Sequence, residues 1–149
     1  MNVLILAAGY ATRLYPLTEK KAKPLLEVAG KPMIEWVLDN LAPIPDLGTI
    51  YVVTNDKFAR DFQEWADHYN KARPTMKFKI VNDGSRTDAD KLGAIGDIRL
   101  VIDREELRNE ALIVVAGDNL FSESLAEFAR QAAGSGATIA TYDVGDLEV

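Results

Sequence analysis

The chain has 149 residues, of which 48% are hydrophobic and 27% charged, with a formal net charge of -6 and no cysteine. This length is typical of one domain with one core, and the negative charge argues against a general nucleic-acid binder, because Lys and Arg dominate duplex binding. The missing cysteines exclude disulfides, thiol nucleophiles and Cys-ligated zinc. No apolar run approaches the roughly 20 residues of a membrane span, so we predict a cytoplasmic protein without membrane contact.

Short apolar runs alternate with amphipathic patterns along the chain. The runs predict strands over residues 3–7, 50–54, 78–81, 112–116 and 138–142. Helical spacing predicts one helix around Ile34 with Pro32 in its first turn, and a second from Phe58, capped by Asn55 or Asp56. A third follows Ser124, which would form a capping box with Glu127. Strands alternating with helices predict an α/β protein with a mainly parallel sheet covered on both faces.

In such sheets, ligands bind beyond the carboxyl ends of the strands, which here selects residues 8–23 and 117–121. The first loop, in "LAAGYATRLYPLTEKKAKPLL", begins at Gly9, where the backbone can adopt positive φ and approach a ligand closely. Arg13 offers a planar fork to phosphate oxygens, and Lys23 is biased toward an extended conformation by Pro24. We predict a phosphate site; solvated surface charges are the alternative.

Asp118 follows the strand in "LIVVAGDNLF" and lies at the same predicted edge of the sheet. A carboxylate there could hold Mg²⁺ together with substrate phosphates. From the spacing alone, a turn residue or helix cap before Ser122 is an equal alternative.

The patterns LAAGYATRL, PLT, KPLL, GKPMIEW and VVAGDNLF, in this order, resemble the N-terminal part of the sugar-1-phosphate nucleotidyltransferases. The resemblance is strongest to the glucose-1-phosphate thymidylyltransferases and uridylyltransferases, and it covers nearly the whole chain. It implies a Rossmann-like three-layer α/β/α sandwich. It also implies transfer of a nucleotidyl group from a nucleoside triphosphate, dTTP or UTP, to a sugar-1-phosphate such as glucose-1-phosphate, with Mg²⁺ as cofactor.

The resemblance assigns roles to individual residues. Arg13 and Lys23 would bind the triphosphate and stabilise its transfer, and Asp118 would hold Mg²⁺. The remaining nucleotide contacts would come from Leu6, Ala8, Gly9, Thr12, Asn82, Leu92 and Gly93. Ala11 stands where the family commonly has a second glycine.

Family members continue well beyond residue 149. We therefore expect residues 1–149 to be one nucleotide-binding portion that lacks the sugar-binding part, with little turnover alone. A free sheet edge would make a second copy of the chain a candidate partner. The alternative function is a non-catalytic nucleotide-binding or regulatory module on the same fold.

Overall fold

Six strands form two sheets in the part of the chain that the structure, a computed structural model, describes, residues 1–141. The strands are β1 (Asn2–Leu6), β2 (Glu27–Val28), β3 (Lys31–Pro32), β4 (Thr49–Thr54), β5 (Lys77–Asn82) and β6 (Leu112–Ala116). β2 and β3 form a small antiparallel hairpin, and the other four strands form a parallel sheet in the order β5-β4-β1-β6. The carboxyl ends of these four strands therefore meet at one edge.

Four helices connect or flank the strands of the parallel sheet. They are α1 (Met33–Leu41), α2 (Ala59–Ala72), α3 (Gly93–Arg104) and α4 (Ala126–Ala132), with short 3-10 turns at Thr12–Leu14 and Lys23–Leu25. Within residues 1–141, none of the helices has the length and apolar character needed to cross a bilayer.

Alternate side chains of β1 point to opposite faces of the sheet, and each face has its own buried cluster. Val3 and Ile5 belong to the larger cluster, which includes apolar residues of α1, α2 and α4. Leu4 belongs to the smaller cluster, which includes Val101 of α3. Such a strand must be apolar on both faces, which explains the uninterrupted run at the start of the chain. The predicted three-layer α/β/α arrangement is confirmed.

The four strands of the parallel sheet and the three helices predicted from spacing are present within a few residues of their expected bounds. Three details at the helix starts differ. The residue that precedes α2 is Phe58, and no side chain caps the helix, so the predicted cap at Asn55 or Asp56 is wrong. Pro32 pairs in β3 and precedes α1, so it is not in the first turn. The predicted capping box is wrong, because Ser124 Oγ accepts from Ala126 N and the Glu127 carboxylate binds Arg130. The Ser124 hydroxyl and the Glu127 carboxylate each accept a hydrogen bond from a nearby donor instead of from the two backbone N–H groups of a capping box.

The predicted fifth strand is wrong over residues 138–141, which have no regular secondary structure; Tyr142 lies outside the described residues. Residues 138–140 face β6 across a groove of about 570 Å³ and do not pair with it. β-branched composition indicates only that a segment suits a pleated surface, whereas a strand also needs an aligned neighbour. Val114 of the edge strand β6 is 41% exposed, and self-association there stays a prediction.

Candidate functional site

A cleft of about 410 Å³ opens at the carboxyl edge of the parallel sheet. It is lined by Leu6, Ala7, Ala8, Gly9, Ala11, Lys23, Pro24, Lys91, Gly93, Ala94, Asp97 and Asp118. The lining thus unites six residues predicted from the sequence: Leu6, Ala8, Gly9, Lys23, Gly93 and Asp118. Four other predicted residues, Thr12, Arg13, Asn82 and Leu92, are not part of it. The two loops chosen by the strand-end rule do meet at one site.

The floor of the cleft continues the hydrogen-bond ladders of the sheet. Ala7 N donates to Val53 O at 2.9 Å, and Gly117 N donates to Leu6 O at 2.9 Å. A side chain at Gly117 would have its Cβ 3.1 Å from Ile5 Cγ2 and 3.2 Å from Pro24 Cγ. The segment before Asp118 thus packs closely on Ile5 and Pro24, and a side chain at Gly117 would require these neighbours to shift by a few tenths of an ångström.

Asn55, at the end of β4, fixes the first loop from below. It is fully buried; its Nδ2 donates to Ala8 O at 3.0 Å, and its Oδ1 accepts from Phe58 N at 3.2 Å. The sequence indicated Asn55 only as a cap candidate for α2. Its role in holding the backbone of the cleft depends on a contact 47 residues distant in sequence.

The left-handed residue of the first loop is Ala11 and not Gly9. Ala11 has φ 47° and ψ 43°, whereas Gly9 is outside the positive-φ region, so that part of the prediction is wrong. A left-handed alanine is strained, which explains why a glycine suits this position. Thr18 Oγ1 donates to Ala11 O at 2.8 Å and helps to hold the turn. Around Gly9 a Cβ atom would meet no protein atom within 4 Å, so its face is open toward a ligand.

Lys23 and Asp118 contact each other in the cleft. The Lys23 Nζ lies 2.6 Å from Asp118 Oδ2, and both side chains are about one-third exposed. Lys23 opens a 3-10 turn, and the extended residue is Ala22, so the predicted extended conformation is displaced by one position. The ammonium nevertheless reaches the cleft as expected. Because water screens a pair that is one-third exposed, this contact contributes little to stability, and a ligand can replace it.

Thr12 and Arg13 lie in the short 3-10 turn beside the cleft, and both are exposed. Arg13 forms no ion pair within the described part of the chain. Arg13 is not among the residues that line the cleft, whereas Lys23 is. An unpaired guanidinium on the rim is available to a charged group that enters the cleft.

Three of the predicted nucleotide contacts, those that the resemblance assigns to the base, are Asn82, Leu92 and Gly93, and they fall into two groups. Gly93 lines the cleft with φ +74° at the start of α3, whereas Leu92 is exposed beside it. Asn82 is engaged by its own chain: its Nδ2 donates to Asp56 Oδ1 at 2.7 Å, and its Oδ1 accepts from Gly84 N at 2.8 Å. Asn82 thus shapes the turn after β5 and does not line the cleft.

The sequence reasoning missed Asp97 of α3, which lines the cleft and is only 5% exposed. Burial, the negative charge of Asp83 and a hydrogen bond with the Asp83 carboxyl raise the pKa of Asp97 from 3.8 to about 6. A perturbed, buried carboxyl in a cleft is typical of a functional site. The sequence signal was a single acidic residue among the small and apolar residues of "LGAIGDI".

A cation in the cleft would find Asp118 as its protein ligand. Residues 1–141 contain no group of three or more His, Asp or Glu side chains arranged to hold a metal on their own. Mg²⁺ often binds through one or two carboxylates plus substrate phosphates, and the Asp118 carboxylate beside the Lys23 ammonium fits that mode. The chain therefore suits a metal that arrives with its ligand.

The sequence profile of the nucleotidyl transferase family matches residues 2–148. The chain belongs to the nucleotidyltransferase family. The resemblance seen in the sequence motifs is thereby confirmed.

Among its relatives in the family, a glucose-1-phosphate thymidylyltransferase of Neisseria meningitidis is 30% identical over 99% of the chain and 49% of its own length. A UTP–glucose-1-phosphate uridylyltransferase of Haloferax volcanii is 30% identical over 88% of the chain and 49% of its own length. The chain thus spans about half the length of these two curated relatives.

The fold has counterparts among solved structures. A UDP-glucose pyrophosphorylase complexed with UDP-glucose superposes with a TM-score of 0.70 and 19% identity, covering 90% of the chain and 53% of the pyrophosphorylase. At this identity the likeness establishes the fold and no more. It places the four-stranded parallel sheet and its helices within the Rossmann-like fold of the nucleotidyltransferases.

Proposed function

We propose that the chain forms the nucleotide half of a sugar-1-phosphate nucleotidyltransferase site. The single observation that carries the proposal is the contact of Lys23 with Asp118 at the strand ends, beneath an open backbone at Gly9. In the proposed reaction, an oxygen of a sugar-1-phosphate attacks the α-phosphorus of a nucleoside triphosphate. The bond to the β-phosphate breaks and pyrophosphate leaves, so no covalent enzyme intermediate is needed.

The chain's own contribution to this reaction is positioning and charge. Lys23 would turn from Asp118 to the phosphates, and Arg13 would close on them from the rim, which stabilises the charge that develops on the leaving pyrophosphate. Asp118 would hold Mg²⁺, which, when bound, neutralises phosphate charge and helps to orient the triphosphate. The backbone at Ala8 and Gly9, held by Asn55, would set the approach of the nucleotide to the cleft floor.

The relatives indicate the substrates to be tested first. The name of one specifies UTP and glucose-1-phosphate, and the name of the other specifies glucose-1-phosphate and thymidylyl transfer. We therefore propose dTTP or UTP as donor and glucose-1-phosphate as acceptor. The half-length match supports nucleotide binding by residues 1–149 more strongly than it supports turnover.

Isothermal titration of the purified chain with dTTP and UTP, with and without Mg²⁺, tests the proposal. We expect the wild type to bind the nucleotides in a Mg²⁺-dependent manner. The affinity of the R13A/K23A double variant should be lower by at least about tenfold, since each cation contributes a charge-assisted contact. K21A is the matched control, because Lys21 is exposed on the same loop outside the cleft lining. Unchanged binding by a folded R13A/K23A variant would refute the proposal.

Asp118→Asn separates the metal role from the ion pair with Lys23. The amide keeps the shape of the side chain but is a poor ligand for a hard cation, so we expect binding to become independent of Mg²⁺. Binding without Mg²⁺ should be equal to or tighter than that of the wild type, since Lys23 no longer has a carboxylate partner. Persistence of the full Mg²⁺ effect in D118N would assign the metal to other ligands.

A further inference from the structure

The first turn of α3 forms one wall of the cleft, and no buried apolar side chain holds it in place. Gly93 and Ala94 line the cleft, residues 93–95 are exposed, and no side chain caps the start of the helix. The first buried residue of α3 is Asp97, and Val101, one turn further on, packs in the smaller apolar cluster. Gly93, Asp97 and Val101 share one face of the helix because they are four positions apart. The position of this wall therefore depends on what Asp97 contacts.

Asp97 contacts the carboxyl group of Asp83, which follows β5. Within residues 1–141, no N–H or O–H group donates to the buried Asp97 Oδ1. The side chain instead forms a hydrogen bond with the Asp83 carboxyl. An ionised carboxylate only accepts hydrogen bonds, so two carboxylates cannot form one with each other. Asp83 and Asp97 thus form a carboxyl pair that must share one proton.

Asp83 is fixed to the ends of β4 and β5 by its other contacts. Its N donates to Thr54 O at 2.8 Å, and its Oδ1 accepts from Ser85 N and Oγ at 2.7 Å. Ser85 is buried, and its O accepts from Asp56 N at 2.9 Å. Asp83 is therefore a firm support on the sheet, whereas Asp97 belongs to the less firmly packed end of α3.

No positive charge in the described part of the chain compensates the carboxyl pair. Among the described residues, neither member forms an ion pair with Lys or Arg, and the Nζ of Lys91, which also lines the cleft, donates to Asp88 at 2.7 Å. The strands β1 and β4, on which α3 packs, carry no carboxylate and no cation. From the first loop, Tyr10 faces Ser85, and burial raises the pKa of its hydroxyl, which therefore stays neutral.

Loss of the shared proton would separate the carboxyl pair. Burial and the negative charge of Asp83 raise the pKa of Asp97 to about 6, so this proton is lost just below neutral pH. Two adjacent carboxylates then repel each other. Because Asp83 is held by the sheet, the first turn of α3 is the side that can yield. The position of one cleft wall is thus linked to one proton.

We propose that Asp83 and Asp97 are positioning residues of the nucleotide cleft, because the proton that they share holds the first turn of α3 against the sheet. The two residues act through Gly93 and Ala94, which line the cleft. The identity of the ligand, a nucleoside triphosphate, rests on the proposed function. Nucleotide binding, which uses the wall in the position described, should be accompanied by proton uptake when the pH exceeds the pKa of Asp97.

Isothermal titration with dTTP and Mg²⁺ at about pH 5.5 and about pH 7.5 tests the positioning role in the wild type, D83N and D97N. An amide donates to the remaining carboxylate without a shared proton, so either variant keeps the contact at both pH values. Between these values, the affinity of the wild type should fall at least about fivefold more than that of either variant, as linkage to one proton allows. Ionisation of dTTP itself affects all proteins equally. D103N, the same change on the exposed end of α3, should follow the wild type.

NMR titration of the free chain tests the shared proton without a nucleotide. In the wild type, the Asp97 carboxyl carbon should titrate at about pH 6, and the amide signals of Gly93 and Ala94 should move with the same midpoint. In D83N the amide signals should lack this transition. Carboxyl groups that titrate independently at the ordinary Asp pKa, or amide signals without this midpoint in the wild type, would overturn the inference.

The outcomes distinguish this inference from the function on which it rests. An equal pH response of dTTP binding in the wild type, D83N and D97N overturns the positioning role and leaves the nucleotide site standing. Absence of dTTP binding at both pH values, together with the expected NMR titration, overturns the proposed function and supports the hold of the shared proton on α3. Circular dichroism of the three variants establishes that each is folded.

Discussion

The Asp97→Asn substitution should stabilise the chain, and the gain should grow as the pH rises. In the folded chain, burial and the charge of Asp83 raise the Asp97 pKa from 3.8 to about 6. The folded state therefore binds more protons than the unfolded state between these values, and its stability falls as the pH increases through them. At 1.36 kcal/mol per pKa unit, this rise in the Asp97 pKa lowers the unfolding free energy by roughly 3 kcal/mol once the pH is well above 6. The amide cannot ionise, so the variant avoids this cost.

Urea unfolding of the wild type and D97N at about pH 4 and about pH 7.5 measures the effect. The difference in unfolding free energy should increase by about 2 kcal/mol between the two conditions, which covers most of the titration. D103N is the control, and its effect on stability should have the opposite sign. Hydrogen bonds from Arg99 and Arg108 lower the Asp103 pKa, so replacing this carboxylate with an amide should reduce the unfolding free energy at neutral pH. A D97N difference that is constant with pH would refute the account of Asp97 as a raised, buried carboxyl.

Three further substitutions test how the first loop is built. Asn55→Ala should lower the unfolding free energy by about 2 kcal/mol or more, because Ala8 O and Phe58 N lose a buried partner. Asn55→Asp, which keeps only the acceptor for Phe58 N, is the comparison. Equal stability of N55A and the wild type in urea would contradict the contact. Gly9→Ala should leave the melting temperature unchanged but weaken dTTP binding, since its methyl group would occupy open cleft space; loss of stability instead would show a packing role. Ala11→Gly should raise the unfolding free energy by up to about 1 kcal/mol by relieving left-handed strain, and a decrease measured by chemical denaturation would count against the turn.

The parts of the structure that the sequence predicted well are those set by local pattern. The run around Val3 is apolar at every position because both faces of β1 are covered, and only a parallel sheet with helices on both sides requires this. Given that sheet, the strand-end rule brought Gly9, Lys23 and Asp118 to one edge before any contact was known. The motif resemblance then favoured a metal ligand over a turn residue at Asp118, and this role stays a prediction.

The parts that the sequence predicted poorly depend on contacts between distant segments. Asp97 looks like an ordinary polar position on a helix until α3 packs against the sheet and buries it beside Asp83. Asn82 was a plausible base contact until the turn after β5 engaged both ends of its amide. The location of left-handed backbone at Ala11 instead of Gly9 followed from the closure of the turn, which residue type alone does not determine.

The two hydrogen bonds that continue the sheet beneath the cleft, from Ala7 N to Val53 O and from Gly117 N to Leu6 O, divide the site into regions of different lability. These amides can exchange with solvent only when the central strand β1 separates from its neighbours, so their deuterium uptake should follow global unfolding. The exposed turn that carries Arg13 is held by few such bonds and should exchange through local fluctuation. The floor of the cleft is therefore rigid, and the rim around Arg13 is flexible. When a ligand binds, the conformational entropy lost by ordering should come from the residues around Arg13.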